Sequence, residues 1–343
     1  MGITINDIAK EANVSASTVS RVINDSGYVG KATRQRVERI IKQRSYVPSA
    51  MAKQLANGRN NVIGVLVPEI DNPFFSGVIK GINEVADEEN LCVILCNSSE
   101  DPEKEHRIVR TLNEQRVSGL ILTSAMNELQ QNSDYIKAFS QLDIPIVLVD
   151  REIEGENYDG VFFNDEKAIF DITSLLIRNG HTHIELLAGT PKLKLGQNRI
   201  RGYRTAFQRS NLQYEDQWIH RSPFTQEDGY DLMRAIIDRD REKWPTAVVS
   251  NNNMLSMGAL RAIFEKKISI PQDIAFVGYD QIEMLEVLGV HITLAEKNVI
   301  EMGRTAMSML CERIKHGHEK LISPRKIIMM PNVVVRGSES PSR

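Results

Sequence analysis

Near the start of the chain, Ser15, Ala16, Ser17, Thr18, Ser20, Arg21 and Asn24 place small polar side chains and one long cation on a ten-residue stretch. Such side chains on the outer face of a helix reach base edges in a major groove. A second group recurs at the ends of apolar runs. It comprises Asp71 to Phe75, then Asp150 and Arg151, then Asn251, Asn252 and Asn253, then Tyr279, Asp280 and Gln281. Any one of these Asp or Asn residues also reads as a helix cap, but their recurrence at one end makes a ring of groups that bind hydroxyls. Phe74 and Phe224 offer the aromatic faces that complete a pocket for a sugar or a base. Lys192, Lys194, Arg199 and Arg201 crowd one loop and helix start, a pattern that suits an anion.

The elements that must position these groups follow from capping and period. Thr4 caps a first helix, with Asp7 near the positive end of its dipole and Ile5, Ile8, Ala9 and Ala12 on one face. Ser15 caps a second, which turns Val19, Val22 and Ile23 inward and leaves Ala16, Ser17, Ser20 and Arg21 outward. Two short helices joined by a tight turn in this way predict a helix-turn-helix DNA reader. A third helix from about Ala32 to Arg44 buries Val37, Ile40 and Ile41 and shows Arg34, Arg36, Arg39 and Lys42. Pro48 and Gly58 then bracket Ser49 to Ala56, about two helical turns, too short to be stable alone and expected to order conditionally. From Val62 onward, apolar runs alternate with amphipathic helices. That alternation predicts parallel sheets covered on both faces, divided into two lobes, with a ligand beyond the strand ends and between them.

Charge is distributed to match. Residues 1–60 carry a net +6 and the remainder −9, within a chain of 343 residues and net −3. A cationic module on an acidic body attracts phosphate locally while the body stays off DNA. No apolar run approaches the roughly 20 residues that cross a bilayer, and the start lacks a secretory pattern, so no membrane role is expected. The chain is placed in the cytoplasm, on the nucleoid when bound. Cys92, Cys96 and Cys311 suit a reducing compartment, and no metal or other cofactor is expected. An enzyme is disfavoured, because no nucleophile elbow, zinc-protease, phosphate-loop or dinucleotide motif occurs; His181-x-His183 and His316-x-His318 read as helix-end histidines. A transport sugar-binding protein is disfavoured by the N-terminal module.

The motifs Thr-Ile-x-Asp-Ile-Ala, Val-Ser-x-x-Thr-Val-Ser-Arg-Val-Ile-Asn, Tyr-x-Pro, Gln-Leu-Ala, Ile-Gly-Val-Leu-Val-Pro, Asn-Pro-Phe-Phe and Val-Gly-Tyr-Asp resemble the lactose repressor and galactose repressor family of bacterial transcription factors. The resemblance covers nearly the whole chain. It implies three parts: a helix-turn-helix domain at 1–47, a hinge helix and linker at 48–60, and an effector-binding and dimerising body at 61–338 of the two-lobed, type I periplasmic-binding kind. Lobe 1 is expected at about 61–161 and 293–323, lobe 2 at about 162–292 and 324–338. The implied operator contacts are Thr4, Ser15, Ala16, Ser17, Thr18, Ser20, Arg21, Asn24 and Tyr46, with Ser49, Ala52, Lys53 and Leu55 from the hinge, where Leu55 acts as a minor-groove wedge. The implied effector contacts are Asp71, Phe74, Phe75, Asp150, Arg199, Phe224, Asn252 and Asp280. Implied partners are a pseudo-palindromic operator duplex, a small carbohydrate-like effector and a second copy of the chain. The tail from Gly337 has no leucine heptad, so the tetramerising tail of some members is not expected. Two departures matter: Phe163-Asn164 and Asn252-Asn253 stand where many members carry an additional acidic residue. With Lys192, Lys194 and Arg201 as further contacts, these losses suggest a sugar acid or sugar phosphate as effector. A purine or a protein partner is the alternative within the same family.

Overall fold

A computed structural model describes residues 3–46, 60–125, 142, 144–153, 157–190, 193–316 and 323–340, and the chain divides into two compact units, residues 1–60 and 61–343. The first unit is a three-helix body: α1 (Ile5–Ala12), α2 (Ala16–Ile23) and α3 (Lys31–Gln43). At the start of α1 the Thr4 hydroxyl accepts from the Asp7 N–H at 3.3 Å while the Asp7 carboxylate accepts from the Thr4 N–H at 2.8 Å, a reciprocal cap. Asn13 ends the helix in the left-handed region at φ 51°, where a short amide side chain is tolerated. Ile8, Ala9, Ala12, Val19, Val22, Val37 and Ile40 form its core, as the helical period requires.

The second unit holds two six-stranded sheets. In chain order its elements are β1 (Val62–Val67), α4 (Pro73–Glu88), β2 (Cys92–Asn97), α5 (Pro102–Glu114), β3 (Gly119–Leu122), β4 (Ile146–Val149) and β5 (Asp159–Phe163). There follow α6 (Asp165–Arg178), β6 (Ile184–Leu187), α7 (Lys194–Arg209), β7 (Ile219–His220), α8 (Gln226–Ile237), β8 (Ala247–Ser250), α9 (Asn253–Glu265), β9 (Ala275–Tyr279), α10 (Glu283–Val287) and β10 (Thr293–Glu296). Last come α11 (Val299–His316), β11 (Lys326–Met329) and β12 (Asn332–Val334). The first sheet runs β11-β5-β4-β3-β1-β2, all parallel; the second runs β12-β10-β9-β8-β6-β7, parallel except for β12. Near-continuous Val, Ile and Leu runs in β1, β3, β4 and β8 follow from burial on both faces. Where α4 and α11 pack, Gly81 faces the Ile300 carbonyl and Gly303 faces the Val78 carbonyl so closely that any Cβ would collide with backbone.

Three details correct the expected lobe boundaries. β5 lies wholly in the first sheet, hydrogen-bonded between β4 and β11, so the first crossing falls after Phe163 and not at 161. β10 belongs to the second sheet, and the return to the first lobe comes after Glu296 rather than at 293. The segment 324–338, expected in the second lobe, is divided between them: β11 pairs in the first lobe and β12 in the second, and Pro331 between them has no N–H to continue a ladder. Helix α7 begins at Lys194 without a side-chain cap to signal its start. Among the described residues, no helix is long and apolar enough to cross a membrane, and no cluster of His, Cys, Asp or Glu could hold a metal ion.

Candidate functional site

On the first unit, Ser17 and Arg21 are exposed on α2, and Lys31, Arg36, Arg39 and Lys42 are exposed on α3. The Ser15 hydroxyl caps α2 by accepting from the Thr18 N–H at 3.2 Å, and it lies 2.7 Å from the Ser17 hydroxyl and 2.9 Å from that of Thr18. Ala16 is half-buried against the helical core, and Ser20 accepts from the Asn24 amide at 3.3 Å. Tyr46 departs from its expected role as an operator contact. Its ring belongs to the buried core of the three helices, because an aromatic side chain at the end of α3 covers apolar surface that the helices leave open. Ser49, Ala52, Lys53 and Leu55 lie outside the described residues.

In the second unit, a cavity of about 480 Å³ opens between the lobes at the carboxyl ends of both sheets. That volume falls within the roughly 300–1,000 Å³ of small-molecule sites. Two aspartates occupy equivalent places in it. Asp150 follows β4 in the first lobe and Asp280 follows β9 in the second; both have positive φ, 66° and 68°, and each N–H donates across to the neighbouring strand at 3.0 Å. A left-handed residue directly after a strand turns its side chain over the strand end, and Asp tolerates that conformation better than most residues do. Opposite them, Arg199 from α7 is held rigidly: its guanidinium donates to Asp165 at 3.1 and 3.2 Å and to the Asn251 carbonyl at 2.9 Å, and it lies 4.6 Å from the Tyr279 ring centroid. Arg151 makes a two-bond fork with Glu100 at 2.7 Å and also donates to the Ser124 carbonyl at 3.1 Å. Behind this fork the fully buried Glu105 accepts from the Ser124 hydroxyl and the Ala125 N–H, and burial pushes its carboxyl up to about 7 against those two bonds. A hydrogen bond from the Asn253 amide of the second lobe to Asn72 of the first, at 2.8 Å, spans the cleft.

Of the expected effector residues, Phe74, Phe75, Asp150, Arg199, Phe224, Asn252 and Asp280 all line this cavity. Asn252 is a helix cap as well, accepting from the Leu255 N–H at 2.9 Å. Asp71 does not line it: the chain turns so that Asn72, which caps α4, faces inward while Asp71 is exposed. The anion-binding set is likewise corrected. Lys194 pairs with Glu152 at 2.7 Å and Arg201 with Glu166 at 2.8 Å, both away from the lining, and Lys192 lies outside the described residues. Lys194 and Arg201 stand five residues before and two after the buried Arg199, spacings that the helical period turns to a different face. Four carboxylates, Glu69, Glu100, Asp150 and Asp280, face the cavity against Arg151, Arg199 and Lys297. Burial holds Asp280 above the usual carboxylate range despite Lys297 and Arg199. Asp165, although equally buried, is held below it by Arg199 and Lys297.

Lys297, Glu69, Glu100 and Thr190 were not anticipated. Lys297 directly follows β10, so the rule that found the aspartates would have found it had the short run Thr293–Glu296 been recognised as a strand. Glu69 and Glu100 stand on loops with no periodic signal. His181 and His183 stand just past the C-terminal end of α6, where the sequence reading put them, and both have protein surroundings. His181 is buried between the Thr246 hydroxyl at 3.0 Å and the Glu339 carbonyl at 3.2 Å, and His183 lies 3.3 Å from the buried carboxylate of Glu185.

Comparison with known proteins extends this geometry. A model of the lacI family of bacterial regulatory proteins matches residues 4–49, and one of the periplasmic binding proteins and sugar binding domain of the LacI family matches residues 60–330. The HTH-type transcriptional repressor PurR of Histophilus somni strain 2336 is 35% identical over 336 residues, 98% of each chain. A solved complex of the transcriptional regulator CelR with cellobiose is 26% identical, covering 98% of this chain and 99% of that one, with a TM-score of 0.72. The Lac repressor bound to ONPG in the repressed state is 25% identical over 98% of this chain and 100% of the other, with a TM-score of 0.83.

Proposed function

The chain belongs to the LacI family of bacterial regulatory proteins, and on that premise we propose that it is an operator-binding repressor controlled by a neutral carbohydrate held between the lobes. The observation that carries the effector half is the meeting of Asp150, Asp280, Arg199 and Asn252 with Phe74 and Phe224 around one cavity. Carboxylates and amides that accept from hydroxyls, beside aromatic faces that cover C–H surfaces, are the chemistry of sugar recognition. Cavity carboxylates outnumber cations, and two of the three cations are already hydrogen-bonded to protein partners, which favours a neutral ligand over a sugar acid or phosphate.

On the DNA side, Ser17 and Arg21 read the major groove, while the exposed cations of α3 serve phosphates. Leu55 is assigned the minor-groove wedge. Effector binding shifts the angle between the lobes and so changes the cost of ordering residues 49–56 on DNA. The protein acts as a homodimer, a reading supported by exposed Ile94 and Leu95 on the edge strand β2 and by exposed Met284, Val287 and Leu288 around α10. A purine effector is the second reading, favoured by the name that the 31–35% identical relatives carry.

The test is a thermal-shift series on the full chain with D-glucose, D-galactose, D-ribose, cellobiose, D-gluconate and hypoxanthine. A neutral sugar at 100 times its Kd stabilises by roughly 2.7 kcal/mol. A shift with hypoxanthine alone, or with gluconate alone, sinks the neutral-carbohydrate reading.

A further inference from the structure

We infer that Lys297 is the specificity-determining group of the effector site, its ammonium donating to an effector hydroxyl that in turn donates to Asp280. The inference rests on the carbohydrate reading above. Lys297 sits on the second crossing between the lobes, two residues before α11, with its side chain 1% exposed and lining the cavity. Its ammonium is surrounded by charge from both lobes: Asp280 at 3.4 Å, Asp165 at 3.7 Å and Asp150 at 3.8 Å. These separations exceed the roughly 2.7–2.9 Å of a strong charge-assisted hydrogen bond, so the cation is compensated electrostatically while its N–H donors remain available.

The other two cavity cations are in a different state. Arg199 is bonded to Asp165 and Asn251, and Arg151 to Glu100 and Ser124, which leaves Lys297 as the described lining cation without a close hydrogen bond to protein. Independently, Oδ1 of Asp280 is buried and has no hydrogen-bond partner. An orphan acceptor and an under-used donor 3.4 Å apart need one bridging group that both donates and accepts. A hydroxyl does this. A carboxylate does not, because it offers no proton to Asp280.

The aromatic surroundings point the same way. The ammonium lies 4.5 Å from the Tyr279 ring centroid, 4.7 Å from that of Phe74 and 5.2 Å from that of Phe163. Cation–π attraction from these rings holds the ammonium in place without using its N–H donors in close hydrogen bonds. The pairing of this donor with the Asp280 acceptor therefore selects for hydroxyl-bearing ligands.

Calorimetric titration of the full-length wild type, Lys297→Met and Lys297→Gln with the same six probes tests this, with folding of each variant followed by circular dichroism. The neutral sugar that binds wild type is expected to lose at least tenfold in affinity with Lys297→Met. With Lys297→Gln, which keeps a neutral donor, the loss is several-fold and smaller. If the methionine variant does not fold, the glutamine variant carries the test alone. A sugar that binds wild type and the folded variants within twofold overturns the assignment of Lys297 and leaves the carbohydrate reading standing. Binding of gluconate alone overturns the neutral-carbohydrate reading, and gluconate then replaces the sugar in the same comparison of variants; binding of hypoxanthine alone, or silence of all six probes with wild type, overturns both.

Discussion

Gly189, at the end of the β6 segment, has φ 67°, and a Cβ there would collide with the Phe224 ring that covers the cavity. Only a residue without a side chain lets the ring lie against that backbone. Gly189→Ala should therefore cost about 1–2 kcal/mol from the left-handed backbone alone. It should also push Phe224 into the cavity and weaken the responding sugar by tenfold or more in calorimetry. Unchanged affinity would show that Phe224 does not cover the ligand. The same scale explains why Asp150 and Asp280 were legible in the sequence and Lys297 was not. Acidic residues after apolar runs announce themselves, whereas Lys297 follows a four-residue strand that begins with Thr293 and ends on the charged Glu296.

At the scale of elements, the recognition unit depends on caps. Replacing Thr4 by Ala removes one half of the reciprocal bonds with Asp7 and is expected to destabilise the unit by about 1 kcal/mol. Faster hydrogen exchange of the α1 amides in the full chain is the readout, and unaltered exchange would mean that packing of Ile8 and Ala12 holds the helix without its cap. Helix α5 makes a different contribution, since it carries Glu105 to the end of β3. A carboxyl raised from the usual 4.5 to about 7 binds its proton more tightly in the folded state than in the unfolded state. Folding stability is thus highest below pH 4.5 for this group and is lost as pH rises to 7, by on the order of 2–3 kcal/mol. Glu105→Gln should flatten the wild-type decline in Tm between pH 5 and 8; identical slopes would show that Glu105 does not titrate there.

For the whole molecule, Glu185 acts in the opposite direction. Burial alone would raise its carboxyl, but His183, His220 and Arg239 hold it down to about 2, so its stabilisation is present above 4.5 and lost on acidification toward 2. Assembly supplies the remaining prediction. Leu95→Asp together with Val287→Asp places charge on exposed apolar surface that a partner copy would cover, so sedimentation should show monomers and operator affinity should fall. A dimer that persists would locate the interface elsewhere. The sequence by itself determined what is local: the caps of α1 and α2, the helical and strand periods, and the acidic and amide residues that end β4, β8 and β9. These depend on propensity and spacing within a few residues of chain. Tertiary structure decided what depends on hydrogen bonds between distant segments. It assigned β5 to the first sheet and β10 to the second, divided the segment 324–338 between the lobes, turned Asp71 out and Asn72 in, buried Tyr46, and brought Lys297 to three carboxylates. A strand carries no local mark of which sheet it will pair in, and a side chain carries none of which groups it will meet.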